Sequence, residues 1–284
     1  MLQSIADYFA HIPSLHRALI LAGGITLFWM VESVAPLFTF RYNKWKHALP
    51  NFFFTATTIV VNFSLAFLIV QTGNFVVTYH IGLLQWVPMP LWLQMLAGLM
   101  VLDLVGAWLA HWTQHKVKWM WRFHMVHHAD THVDTTTANR HHPVESVFRL
   151  LFTLLAILVC GAPMWLVFLY QSLSVVLSQF NHANMRMPLW LDTGLSWIIV
   201  SPNMHKVHHH YMLPQTDTNY GNIFSVWDRL FRTYDQTPVE QLNYGLDILD
   251  NSRDRNLGYQ LTVPFDSSIK SAADEGFVPN IPLK

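Results

Sequence analysis

The chain has 284 residues, 52% of them hydrophobic and only 12% charged, about half the charged share of an ordinary globular protein. Seventeen Lys and Arg balance seventeen Asp and Glu, so neither a net charge nor a basic run draws this protein to nucleic acid. The single cysteine, Cys160, excludes a disulfide framework, a four-cysteine zinc site and a cysteine-held iron–sulfur cluster.

The first apolar stretch, 18–38, carries Glu32 near its end and is long enough for a membrane span of about 20 residues. Between Lys46 and Asp103 lie 56 residues without Lys, Arg, Asp or Glu, too long a run for a soluble helical protein. Within it, 52–70 reads as a second span and 88–110 as a third, with Asp103 inside it. Residues 150–180 are again free of charge, too long for one straight span and cut by Gly161-Ala162-Pro163. They read as a helical hairpin that either crosses twice or re-enters without crossing. From about Gln236 the chain turns polar and reads as a tail.

Basic residues cluster after the first span (Arg41, Lys44, Lys46), after the third (Lys116, Lys118, Arg122) and around the hairpin (Arg140, Arg149, Arg186, Lys206, Arg229, Arg232). Residues 71–87 and the hairpin turn have none. Because Lys and Arg mark the cytoplasmic side, the expected fold is all-α and integral to a membrane. It has about four transmembrane helices or hairpin segments under a cytoplasmic, histidine-rich helical cap. The expected division is 1–110 for the N-terminal transmembrane helices, 111–235 for the histidine-cluster region with its hairpin, and 236–284 for a cytoplasmic C-terminal tail. The bacterial inner membrane or the endoplasmic reticulum would both suit such a protein.

The seventeen histidines are unevenly spread. His11, His16, His47 and His80 stand alone and read as ordinary surface or core residues. Apart from His132, the rest fall in a series of motifs: His111-Trp-Thr-Gln-His115, His124-Met-Val-His127-His128, His141-His142, His182, and His205-Lys-Val-His208-His209-His210. On a helix, residues four apart differ by about 40°, so His111 and His115 share a face, while each HxxHH fans its imidazoles over about 100°. His115 and His124, nine apart, would oppose each other on one straight helix, so the chain is expected to bend between them. His210 points away on the same geometry, and His132 lies outside the clusters. A neutral imidazole offers a metal a nitrogen lone pair, and this many exceed what one ion needs. Two metals are expected, and an all-imidazole pair at a membrane face suits iron used with O2. A zinc hydrolase would show HExxH, which is absent; a metal transporter or sensor would place ionisable ligands at mid-membrane, whereas these gather at one face.

At these residues the chain resembles the fatty acid hydroxylase superfamily, also called the sterol desaturase family. The resemblance is carried by His111/His115, Trp121-Arg122-Phe123-His124-Met-Val-His127-His128, Arg140-His-His142-Pro143-Val-Glu145, His182-Ala-Asn184, His205-Lys-Val-His208-His209, Asp217-Thr-Asn219-Tyr220-Gly221 and Trp227-Asp228-Arg229-Leu230-Phe231. Trp112 stands where many members have Arg, and Arg232 where many have Gly. The resemblance implies an O2-dependent di-iron oxidoreductase that hydroxylates or desaturates a membrane lipid. It adds His142 and His182 to the metal ligands His111, His115, His124, His127, His128, His205, His208 and His209, with zinc a possible substitute. Asp103, Glu145, Asn184, Asp217, Asn219 and Asp228 are candidates to orient those imidazoles from behind. An acid inside a span is functional by default, which singles out Asp103 and, nearer the interface, Glu32. The chain shows no nucleotide fingerprint, P-loop or fused haem motif. Electrons are therefore expected from a separate NAD(P)H-linked partner, such as cytochrome b5 or ferredoxin with its reductase, docking on the basic face at Lys116, Lys118 and Arg122.

Overall fold

A computed structural model describes residues 1–270, and among these the regular structure is helical, with only two isolated bridges, Pro36 to Met185 and Ile199 to Phe224. Among the described residues, four helices are long and apolar enough to cross a membrane: α2 (Ser14–Val34), the first part of the 44–86 segment formed by α3 (Lys44–Thr78), α4 (Leu91–Lys116) and α6 (Pro143–Cys160). The short α1 (Leu2–Ala10) precedes them, α5 (Lys118–His128) follows α4, and α7 (Met164–His182) completes the hairpin with α6. Beyond it lie α8 (Leu189–Leu195) and α9 (Pro202–His208). Large apolar side chains such as Leu19, Leu27, Phe63 and Phe67 are exposed along α2 and α3, as a lipid-facing surface requires.

The hairpin does not stop halfway. Gly161 ends α6 at φ 71° and meets Gly82, φ 96°, in the turn after α3. A Cβ on Gly82 would sit 2.3 Å from the Gly161 backbone nitrogen, so neither turn tolerates a side chain. Gln85 Nε2 donates to the Gly161 carbonyl at 2.8 Å. The hairpin turn thus reaches the level of the turn after α3, at the end of the helices remote from the histidines.

Two local breaks shape the histidine end. Within α4, Leu104–Leu109 is π-helical, a widened turn that is common at functional sites. Between α4 and α5 the helix is interrupted at Val117 alone, which is extended (φ −95°, ψ 109°), and this bend turns α5 back over the end of α4. Residues 236–270 then wrap onto α5. Leu246 and Val263 pack against Trp121 and Met125, and Arg122 donates to the carbonyls of Pro264 (2.7 Å), Ile269 (3.2 Å) and Asp266. The rest of the expected tail, 271–284, lies outside the described residues.

Polar groups on the apolar helices pin the loops that carry the histidines. On α2, Glu32 accepts the backbone N–H of Thr135 (3.1 Å) and of Asn184 (2.9 Å) and pairs with Lys44 at 2.8 Å. On α3, His47 lies between Asp130 (2.7 Å) and Asp134 (3.2 Å), and Asn51 donates to Thr136 at 2.9 Å. On α4, Asp103 accepts from the backbone N–H of Ile223 (3.2 Å) and Phe224 (3.0 Å) and from Trp227 Nε1 (3.0 Å). A buried carboxylate must find donors, and here backbone amides supply them.

Candidate metal centre

Two groups of imidazoles form where α4, α5, α7 and α9 end together. His111, His115, His124, His128 and His208 each offer a ring nitrogen within 4.8 Å of the others, and so do His127, His182, His205 and His209. The two HxxHH segments feed both groups in opposite senses. On α5 the i, i+4 pair His124/His128 enters the first group and His127 the second. On α9 the pair His205/His209 enters the second and His208 the first. The groups abut, with the His128 and His209 rings stacked at 4.7 Å.

Hydrogen bonds behind several rings decide which nitrogen faces inward. His111 Nδ1 donates to the Tyr220 carbonyl (2.8 Å), His208 Nδ1 to the Thr218 carbonyl (2.6 Å) and His182 Nδ1 to the Ser178 carbonyl (2.7 Å). His124 Nδ1 meets the Glu145 carboxylate at 2.9 Å. Each proton is thus held at the back, and each Nε2 presents a lone pair to the centre. His111 Nε2 and His124 Nε2 then face each other at 3.1 Å without a proton between them. In the second group, His182 Nε2 stands 3.1 Å from the Nε2 of His205, 3.1 Å from that of His209 and 3.2 Å from that of His127. Buried His115 Nε2, His128 Nε2 and His208 Nε2 find no hydrogen-bond partner. Lone pairs converging like this repel unless a cation lies among them. Two nitrogens bonded at about 2.1 Å to one first-row ion and near a right angle apart are about 3 Å from each other. The donor set therefore fits two metal ions.

Burial, and then the neighbouring imidazoles, hold His127, His128, His205, His208 and His209 well below the usual histidine range, which keeps them neutral as ligands must be. At Asp130 burial works upward, but His47, Arg140 and the hydrogen bond from Thr137 outweigh it and leave the carboxyl well below its usual range.

The structure departs from the sequence expectation at the Arg140–Glu145 segment. His142 joins neither group. It is the N-cap of α6, accepting the Val144 N–H at Nδ1 (3.2 Å), with its ring against Phe123. The inward-facing residue is His141, whose ring stacks on His127 at 4.8 Å and whose Nδ1 meets Glu145 at 2.9 Å. Pro143 at the first helical position dictates this, because it makes the preceding residue the cap, and His141 then lies one turn before Glu145. That signal was present in the sequence. His47, read there as an ordinary lone residue, is completely buried between two carboxylates, which spacing could not reveal.

Of the acidic and amide candidates, Glu145 accepts from His124 Nδ1 and lies within 2.9 Å of His141 Nδ1 as a charge contact without hydrogen-bond geometry. Asp217 approaches His115 only at 3.9 Å, beyond hydrogen-bond reach, and pairs instead with Lys116. Asp228 accepts from the Tyr220 and Gly221 amides, 2.9 Å each, and so steadies the residue whose carbonyl orients His111. Asn219 donates to the Met204 and Asp235 carbonyls (2.8 Å each) and Asn184 to that of Phe38 (2.9 Å). Both hold loops and touch no imidazole, as does Asp103. His132 and His210 lie outside both groups, and His210 Nδ1 accepts the Asn243 N–H at 3.2 Å.

The family model for fatty acid hydroxylase matches residues 95–233. The chain is similar to an ornithine lipid hydroxylase of Rhizobium tropici, 28% identical over 155 residues that cover 54% of this chain and 44% of that protein. It is also similar to alkylglycerol monooxygenases. That of Xenopus tropicalis is 30% identical over 148 residues, covering 50% of this chain and 30% of the relative. That of Homo sapiens is 28% identical with the same coverage. The chain thus spans less than half the length of these relatives. No solved structure matches.

Proposed function

We propose that this protein, whose residues 95–233 match the family model for fatty acid hydroxylase, is an O2-dependent di-iron lipid hydroxylase of a membrane face. The observation that carries the reading is the pair of imidazole groups whose lone pairs converge with their protons held behind them. Two iron ions, one per group, would supply the oxidising power for an unactivated C–H bond. The chain supplies the rest. Tyr220, Thr218 and Ser178 carbonyls and the Glu145 carboxylate orient the rings, and residues 236–270 with Trp121 and Met125 cover the site from water. A small cavity bounded by Gly106, Ala107 and Ala110 reaches histidines of both groups.

The histidine end is assigned to the cytoplasmic side on the distribution of basic residues. Cysteine placed at 80 or at 252 in a Cys160→Ser background should label from opposite sides. Electrons are assigned to a separate NAD(P)H-linked protein. Of the basic residues expected to dock it, Arg122 donates to three carbonyls of the 264–269 segment and Lys116 pairs with Asp217.

The test is metal analysis of the purified chain together with lipid analysis of membranes that contain or lack it. Two irons per chain and a lipid gaining one oxygen, or losing two hydrogens if desaturated, are expected. Zinc alone with no lipid change in membranes that supply the electron partner would overturn the reading.

A further inference from the structure

We propose that Arg149 anchors an anionic oxygen group, a phosphate or a carboxylate, of the lipid presented to the histidine groups; this rests on the function proposed above. The helix α6 has two unlike faces. Val147, Leu151, Leu155 and Val159, spaced four apart, are 36%, 56%, 42% and 47% exposed, so this stripe faces lipid. Arg149 lies two residues on from Val147, about 200° around the helix. That puts it in the middle of the inward face, where Glu145, Ala156 and Cys160 are buried. Arg149 is nevertheless exposed. A side chain exposed on an inward face borders an internal space. That space is the cavity walled by Gly106, Ala107 and Ala110 of α4, Ser178 of α7 and histidines of both groups.

Arg149 takes part in none of the ion pairs among the described residues. Its nearest candidate on the same helix is Glu145, one turn earlier, and Glu145 Oε1 is engaged by His124 and His141 at 2.9 Å each. An unpaired guanidinium on a helix of membrane-spanning length points to a ligand. Its rigid fork of donors matches phosphate and carboxylate, where an ammonium would act only as a point charge. Small residues, two alanines and a glycine, line the same cavity as Arg149. Arg149 and Glu145 are separated by about 6 Å along the axis. A group held by Arg149 therefore offers the histidine level a carbon only a few bonds away, near the polar end of the lipid and not its methyl end.

The test is calorimetric titration of the purified full-length chain, in an uncharged detergent, with dodecyl phosphate, dodecanoate and dodecanol. Wild type should bind at least one anion more tightly than the alcohol. Arg149→Gln should weaken that anion by about tenfold or more, the worth of a charge-assisted hydrogen bond, and leave dodecanol binding and iron content unchanged. Arg149→Lys should fall between. The anion that loses more tells a phosphate headgroup from a carboxylate. The proposal is overturned if wild type prefers neither anion, if Arg149→Gln binds them unchanged, or if it loses the alcohol or iron equally, since Arg149 would then support the fold or Glu145. Tandem mass spectrometry of lipids from cells expressing the chain separates the two ideas. Absence of a hydroxylated lipid sinks the hydroxylase and leaves the anion site standing. A hydroxyl near the methyl end sinks the placement of the anchor and leaves the hydroxylase.

Discussion

His111 and His124 turn their Nε2 atoms toward each other at 3.1 Å, and neither has a proton to share, because each gives its proton to an acceptor behind it. Only a cation between them makes that approach favourable. Alanine at His115, His128 or His208 should therefore remove one of two bound irons, and alanine at His127, His205 or His209 the other. His132→Ala, His142→Ala and His210→Ala should keep both. Iron per chain, measured by atomic emission, decides it. Retention of both irons in His128→Ala and His209→Ala would contradict the grouping.

The metal-free chain should be acid-sensitive in a definite window. Burial and neighbouring imidazoles hold His127, His128, His205, His208 and His209 below their unfolded value, which is about 6.5. Below that pH the unfolded chain binds protons that the folded chain refuses, so stability is present above about pH 6.5 and lost as pH falls through it. Melting temperature of the chelator-treated chain should be flat above about pH 7.5 and fall below about pH 6. A flat profile down to about pH 5 would contradict the burial of neutral imidazoles.

Glu145→Gln tests the link between His124 and His141. Glu145 Oε1 faces both ring nitrogens at 2.9 Å; a glutamine can place its amide oxygen there but without the negative charge, and its NH2 then replaces Oε2, which is buried and has no hydrogen-bond partner. Loss of such an orienting partner typically costs about 10–100-fold in metal affinity. Chelator competition should show that loss with the helical circular dichroism preserved. Equal resistance to chelator in variant and wild type would remove Glu145 from the site.

His47→Leu should be among the most destabilising single changes outside the histidine groups. It strips the buried Asp130 and Asp134 of the imidazole between them, and breaking a buried pair costs about 3–5 kcal/mol. Thermal melts in detergent should fall accordingly. An unchanged melt would mean that Arg140, 4.0 Å from Asp130, compensates alone.

Arg232→Gly should stabilise. Arg232 is held at φ 60°, a left-handed conformation that costs a residue with a Cβ about 1–2 kcal/mol, and its side chain is exposed. Part of that relief is lost to the greater freedom of glycine in the unfolded chain, so a net gain of up to about 1 kcal/mol is expected, read as a higher melting temperature. This position is the one where the resemblance led glycine to be expected, and the backbone gives the reason. A lower melting temperature would assign the side chain a contact of its own.

The membrane character, the helical class and the clustering of histidines were legible in the sequence because each rests on local information. Long charge-free runs, a hairpin broken at Gly161-Ala162-Pro163 and HxxHH spacing depend on neighbours in the chain. The need for a bend between His115 and His124 was also legible, and Val117 supplies it. The partition of the imidazoles was not. Helix geometry puts His124, His127 and His128 on one arc, but only the facing arc of His205, His208 and His209 decides which of them share a centre. The choice between His141 and His142 depended on where a helix starts, and the burial of His47 on loops 83 and 87 positions away in sequence that fold back over α3. Asp103 and Glu32 read as functional acids because a charge in a span is costly. The tertiary structure meets that cost with backbone amides of distant loops, so both acids hold the centre together without touching it. Local patterning determined what kinds of element and ligand this chain contains. Which ligands meet was decided by packing, since contacts between residues far apart in sequence exist only once the helices are placed.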